Sequence, residues 1–202
     1  MRSTATTDPM QQTSPPCTTC LASNSKRASL KTLAGAALAL GSGLHNAVAA
    51  TDSPTAGDWL VGIDDDTAKP IGPADVKMGE KQILVFPYDP VAKRVRNESR
   101  LNRILLVRID PATMNAETAP RAAGGVLAYS AVCTHQGCDV NAWRDVEKTL
   151  LCFCHFTQFQ PAEGASVVAG PAPRALPSLS LKTDGDKFVL ASGFSGAPGA
   201  AR

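Results

Sequence analysis

The chain has 202 residues, with 20 basic and 18 acidic side chains and a formal charge of +2. Residues 1–49 carry four basic residues (Arg2, Lys26, Arg27, Lys31) and one acid (Asp8), which leaves 16 basic and 17 acidic side chains in the remainder. That balance gives no basic face for nucleic acid. With 16 Gly, 15 Pro and 5% aromatics, the composition suits a small β-domain rich in turns behind a targeting segment.

The first 25 residues are rich in Ser, Thr, Pro and Gln and show no hydrophobic period, so a disordered extension is expected. Lys26-Arg27, the apolar stretch 32–44 and Ala47-Val48-Ala49 follow in the order of an export signal. The Lys-Arg pair resembles a twin-arginine signal with one Arg replaced. The alternative is an uncleaved membrane anchor. The apolar core of about 13 residues falls short of the roughly 20 that span a bilayer, and lengthening it would bury His45 and Asn46. The domain boundaries expected are therefore 1–49 for an export signal and 50–202 for the folded domain, placed in a bacterial periplasm or, if anchored, on the periplasmic face of the inner membrane. Cys17 and Cys20 form a C-x-x-C in the polar tail ahead of the apolar core and would leave with it.

Downstream, Asp64-Asp65-Asp66 lacks the spaced oxygen ligands of a calcium loop and reads as a surface turn. Short strands are predicted at 82–86, ending at Pro87, at 103–108, at 125–129 leading into Cys133, and at 149–153. Two more, 179–182 and 187–190, flank the turn Thr183-Asp184-Gly185-Asp186. Lys93, Arg94, Arg96, Arg100 and Arg103 form a basic run that reads as a solvated hairpin tip, with docking to an acidic partner as the alternative. No long helical period and no repeat occurs after residue 50. The fold class expected is all-β, a sandwich or barrel-like domain.

The chemistry is concentrated in 133–155, where four of the six Cys and two of the three His fall. The first box is Cys133-Thr134-His135-Gln136-Gly137-Cys138 and the second is Cys152-Phe153-Cys154-His155-Phe156-Thr157. Two Cys and two His could also hold structural zinc, but C-x-H is an unusual spacing for a zinc finger and the extra Cys of each box would go unexplained. A purely structural set of disulfides would leave both His without purpose.

The two boxes resemble the Rieske [2Fe–2S] family, whose pattern is C-T-H-x-G-C followed by C-x-C-H. Gly170-Pro171-Ala172-Pro173-Arg174-Ala175-Leu176-Pro177 resembles the family's proline loop. The resemblance implies an antiparallel β-sandwich with a small cluster-binding subdomain at about 130–175, and one [2Fe–2S] cluster per chain. Cys133 and Cys152 would then bind one iron as thiolates, and His135 and His155 the other through imidazole nitrogen. Cys138 and Cys154 would form a disulfide between the two loops, which suits an oxidising compartment. Gly137 would let the first loop turn tightly. Exchanging two thiolates for neutral imidazoles lifts the potential from about −400 mV to between −150 and +300 mV.

Quinol-oxidising members usually carry Gly-Ser after the second His and a Tyr two positions on. Here those places hold Phe156, Thr157 and Phe159. Thr157 keeps a hydroxyl for a bridging sulfide, whereas Phe159 offers no donor, which lowers the potential. Gln136 stands where an apolar tip residue is usual. Phe156 and Phe159 instead resemble the small subunit of arsenite oxidase and related periplasmic proteins. The expected function is one-electron transfer beside a redox partner, a molybdopterin oxidase subunit or a cytochrome. The alternative is a Rieske subunit of a cytochrome bc-type complex, meeting quinol through its cytochrome b. No catalytic residue is expected. A ring-hydroxylating oxygenase would need two further His and a carboxylate for a mononuclear iron, and after His135 and His155 no His remains in the folded region 50–202.

Overall fold

The computed structural model describes residues 52–200. The predicted export segment 1–49, with Cys17, Cys20 and His45, lies outside them. Among the described residues there is no α-helix, and no helix is long and apolar enough to cross a membrane.

Within the described residues twelve strands form two sheets: β1 Trp59–Gly62, β2 Ile83–Asp89, β3 Arg94–Val95, β4 Ile104–Arg108, β5 Val126–Ser130, β6 Ala142–Arg144, β7 Thr149–Cys152, β8 Thr157–Gln160, β9 Ser166–Ala169, β10 Ser178–Leu179, β11 Leu181–Asp184 and β12 Lys187–Leu190. The larger sheet runs β10-β5-β4-β2-β1-β12-β11, with β3 against β2, and the smaller runs β6-β7-β8-β9. All the named strands pair antiparallel. β10 and β11 are separated by Ser180 alone, yet they pair with opposite ends of the sheet, β5 and β12. One chain run therefore nearly closes the large sheet into a barrel. The domain is all-β, as the sequence predicts.

The wall between barrel and small sheet explains why β4 is an unbroken apolar run. Successive strand residues face opposite sides. Ile104 and Leu106, with Val126 and Ala128 of β5, point into the barrel beside Leu60, Phe188 and Leu190. Leu105 and Val107, with Leu127 and Tyr129, point the other way, into a second core containing Leu150, Phe159, Cys133 and Cys152. A strand buried on both faces loses the polar alternation of a half-exposed one. The second core is what the two Cys/His boxes are built upon.

Several expectations need correcting. β2 does not stop at Pro87 but continues to Asp89. The Pro87 carbonyl accepts from Arg96 N–H. A strand residue's N–H and C=O point the same way, so the missing N–H of Pro87 faces that same side. There it falls between the pairing with β4, which ends at Val85, and the pairing with β3, which begins at Tyr88. The last hairpin turns at Gly185 and Asp186 alone, since Thr183 and Asp184 still pair with Phe188 and Lys187. β1, β3, β6, β8, β9 and β10 were not predicted.

The basic run is not a solvated tip as a whole. Lys93 does sit exposed in the β2–β3 turn, but Arg96 is buried, its guanidinium held by Asp58 at 2.9 Å and Asp89 at 2.9 Å. Arg94 pairs with Glu98, and Arg100 and Arg103 share Asp139. Each arginine of the run has an internal carboxylate, which leaves little for an acidic docking partner. The acidic triplet is a surface turn: Asp65 accepts from the Thr67 and Lys69 backbone and from the Thr67 hydroxyl, and these bonds hold its carboxyl below the usual carboxylate range.

Candidate metal centre

The first loop leaves β5 and folds back at once. Val132 N–H donates to the Ser130 hydroxyl at 3.1 Å, Cys133 N–H to the Cys138 carbonyl at 2.7 Å, and Gly137 N–H to the Cys133 carbonyl at 3.0 Å. Gly137 sits at φ +78°, in the left-handed region that strains any residue with a Cβ.

The second loop is the hairpin between β7 and β8. Cys152 pairs with Thr157, so Phe153, Cys154, His155 and Phe156 make up the turn. The left-handed residue that a tight turn needs is Phe156, at φ +55°. Its ring is exposed, as is that of Phe153. Cys138 and Cys154 are joined by a disulfide with 6.5 Å between their Cα atoms, which fastens the first loop to the second.

The third loop follows β9. The Thr134 hydroxyl donates to the Arg174 carbonyl at 2.6 Å and so ties the first loop to the proline loop. Ala172 is buried in the same core as the two free cysteines, whereas Pro171 and Pro173 are exposed. Gly170 has φ +91°, and a Cβ there would stand 2.5 Å from Thr157 Cα. The proline loop thus lies directly against the second loop's backbone. Gly170→Ala should displace it at a cost of about 1–3 kcal/mol, the usual range for overpacking, read as a lower melting midpoint; an unchanged midpoint would mean the loop is looser than this contact implies.

These loops segregate two donor types. Cys133 and Cys152 are buried to about 1% exposure, unoxidised, and adjacent. Burial pushes the Cys133 thiol up to about 11; the neighbouring Cys152 raises it as well, while the His135 and Gln136 backbone N–H groups donate to it and oppose the rise. Two such thiols resist becoming thiolates together unless a cation joins them. The sulfurs of Cys138, Cys152 and Cys154 fall within 4.8 Å of one another, but the disulfide removes the first and last as ligands.

His135 and His155 lie at the surface with their Nδ1 atoms 3.2 Å apart and their rings edge to face. Two ring nitrogens converging on one point suit a shared metal ligation. Thr157 supplies a further sign. It is 1% exposed, and its hydroxyl is a buried donor with no partner among the described residues. An inorganic sulfide would give it one, so the residues present fit a [2Fe–2S] cluster. Donor chemistry alone, two soft sulfurs and two imidazoles, also suits zinc. Sequence comparison decides between them: a family model of the Rieske [2Fe-2S] domain matches residues 58–180.

The chain belongs to the Rieske [2Fe–2S] family. A Rieske domain carries a [2Fe–2S] cluster and transfers electrons through it. A protein of Haloferax mediterranei that carries the name of a Rieske subunit of respiratory nitrate reductase, assigned by inference, is 42% identical over 97 residues, a match that takes in 47% of this chain and 43% of that protein. A cytochrome bc1 complex Rieske iron-sulfur subunit of Streptomyces lividans is 30% identical over 132 residues, covering 63% of this chain and 76% of that protein. Thus the match spans under half of the first relative and about three quarters of the second. The crystal structure of the soluble domain of Rieske protein II from Sulfolobus acidocaldarius aligns with 23% identity and a TM-score of 0.39, over 49% of this chain and 65% of that one.

Two contributors to this Rieske centre escaped the sequence reading. One is Thr134, fully buried and linking two loops. The other is the Tyr129 hydroxyl, which donates to the Pro161 carbonyl at 2.7 Å and pins β5 to the turn after β8. Thr134 sits inside the first box and was open to recognition. The partner of Tyr129 lies 32 residues away and left no local signal.

Proposed function

We propose that Cys133 and Cys152 hold one iron, His135 and His155 the other, and that single electrons enter and leave through the imidazoles. The arrangement that supports this is the contrast between two buried thiols and two surface imidazoles facing each other at 3.2 Å. Buried sulfur shields the cluster, while surface imidazole gives a partner close approach. The purified protein should contain iron and acid-labile sulfide in equal amounts, with a reduced EPR signal whose average g lies below the free-electron value. Stoichiometric zinc without labile sulfide would overturn the assignment.

The chain serves as an exported electron-transfer subunit of a periplasmic oxidoreductase of the arsenite oxidase type. Around the imidazoles, Gln136, exposed on the first loop, is a poor lining for a quinol pocket, and Phe153 and Phe156 put the apolar surface on the second loop instead. A relative named for nitrate reductase supports service beside oxidoreductases outside the cytochrome bc class. The second reading, a quinol-oxidising subunit beside a cytochrome b, is favoured by the bc1-type relatives. Export is tested by sequencing the mature N-terminus, expected near Ala50 in a periplasmic extract. Full-length chain found only in membranes would move the second reading ahead.

A further inference from the structure

The predicted basic run leads somewhere its sequence did not show. Arg100 opens one turn of 3-10 helix, Arg100–Asn102, and Arg103 caps it at the entry to β4. Three residues per turn place side chains i and i+3 in line. Both guanidinium groups therefore meet one carboxylate: Arg100 Nη2 donates to Asp139 Oδ1 at 2.7 Å and Arg103 Nη1 to Oδ2 at 3.1 Å. Arg103 is further steadied by lying 5.9 Å over the Phe86 ring. The barrel thus offers a two-pronged clamp at its surface, with Arg100 exposed and Arg103 half-buried.

What the clamp grips is the end of the first ligand loop. Asp139 follows the disulfide residue Cys138 and is bridged to Val132, which precedes Cys133. Between them lie the amides that face the Cys133 sulfur, those of His135 and Gln136. We infer that Asp139, held by Arg100 and Arg103, is a positioning residue that keeps the first loop's N–H groups directed at the Cys133 sulfur and so sustains the potential of the cluster. The inference rests on the ligand assignment proposed above.

The sign of one measurement separates positioning from simple charge. A carboxylate near the cluster disfavours the added electron, so deleting it through the field alone raises the potential. Loosening the loop weakens N–H···S bonds that favour the reduced state, and the potential falls. Asp139→Ala should therefore lower the potential, move the EPR g values, and speed exchange of the Gly137 amide several-fold. Asp139→Glu should restore much of each. A rise or no change in potential, or unaltered Gly137 exchange, overturns the inference. A wrong ligand assignment would show itself separately, as missing labile sulfide in the wild-type protein.

Discussion

Replacing Cys138 and Cys154 together by Ser should lower the melting midpoint by about 6–12 °C and make the cluster labile to chelators. The bond closes a loop with a sequence separation of 16. Chain entropy assigns roughly 3 kcal/mol to a loop of about 15 residues, although the balance of entropy and enthalpy depends on the reference state. A domain of this size loses about 2–4 °C per kcal/mol. Function should suffer beyond the stability loss, because the bond is a cross-tie between two loops that each carry one thiol and one imidazole. Without it, the other ties on the first loop are the Thr134–Arg174 bond and the Asp139 clamp. The double replacement is preferable to either single one, which would leave a stray thiol beside Cys152. Differential scanning calorimetry, with the visible spectrum followed under chelator, checks the result. An unchanged midpoint, with both thiols alkylatable in the native wild-type protein, would mean that the bond does not form.

The sequence made some of this architecture visible and hid the rest for physical reasons. β2, β4, β5, β7 and β12 carry runs such as Ile104-Leu105-Leu106-Val107, because each supplies buried residues to one core or both, while β11, with Leu181 alone buried, was legible from the turn at Gly185. β8 reads Thr-Gln-Phe-Gln and β9 Ser-Val-Val-Ala; they belong to a small sheet with partly exposed faces, so composition marks them weakly. β10 has two residues and exists only because the barrel closes there. The boxes were legible because a cluster needs particular atoms at fixed spacings, and those atoms belong to few residue types. Arg96 and, in part, Arg103 were misread for the opposite reason, whereas Arg100 does stay exposed. Charge in a local run looks like solvated surface until distant carboxylates, Asp58, Asp89 and Asp139, come to meet it.

Phe159→Tyr should raise the reduction potential by about 60–130 mV. A hydrogen bond to a charged group contributes about 1.5–3 kcal/mol, and for a one-electron couple about 59 mV corresponds to 1.4 kcal/mol. Phe159 is fully buried in the core that also contains Cys133 and Cys152, so a new hydroxyl there has no water to turn to. If it reaches a cysteine sulfur, it stabilises the more negative, reduced cluster and the potential climbs. If it does not, it becomes a buried unsatisfied donor costing about 1–3 kcal/mol, and the variant melts earlier at an unchanged potential. Thr157→Val is the complementary change. It removes the buried hydroxyl that has no protein partner among the described residues, and should lower the potential by a similar amount with little loss of stability. Protein-film voltammetry on the wild type and both variants, with melting curves alongside, reads all these outcomes. The wild-type value bears on the choice of partner. With one donor present and one missing, the cluster should sit below the top of the Rieske range of about −150 to +300 mV, yet far above thiolate-only ferredoxins. Such a potential favours exchange with a protein donor over the strongly oxidising role of a quinol-facing subunit. A wild-type value at the upper limit, unmoved by Phe159→Tyr, would reverse that order and give the cytochrome bc-type reading the first place.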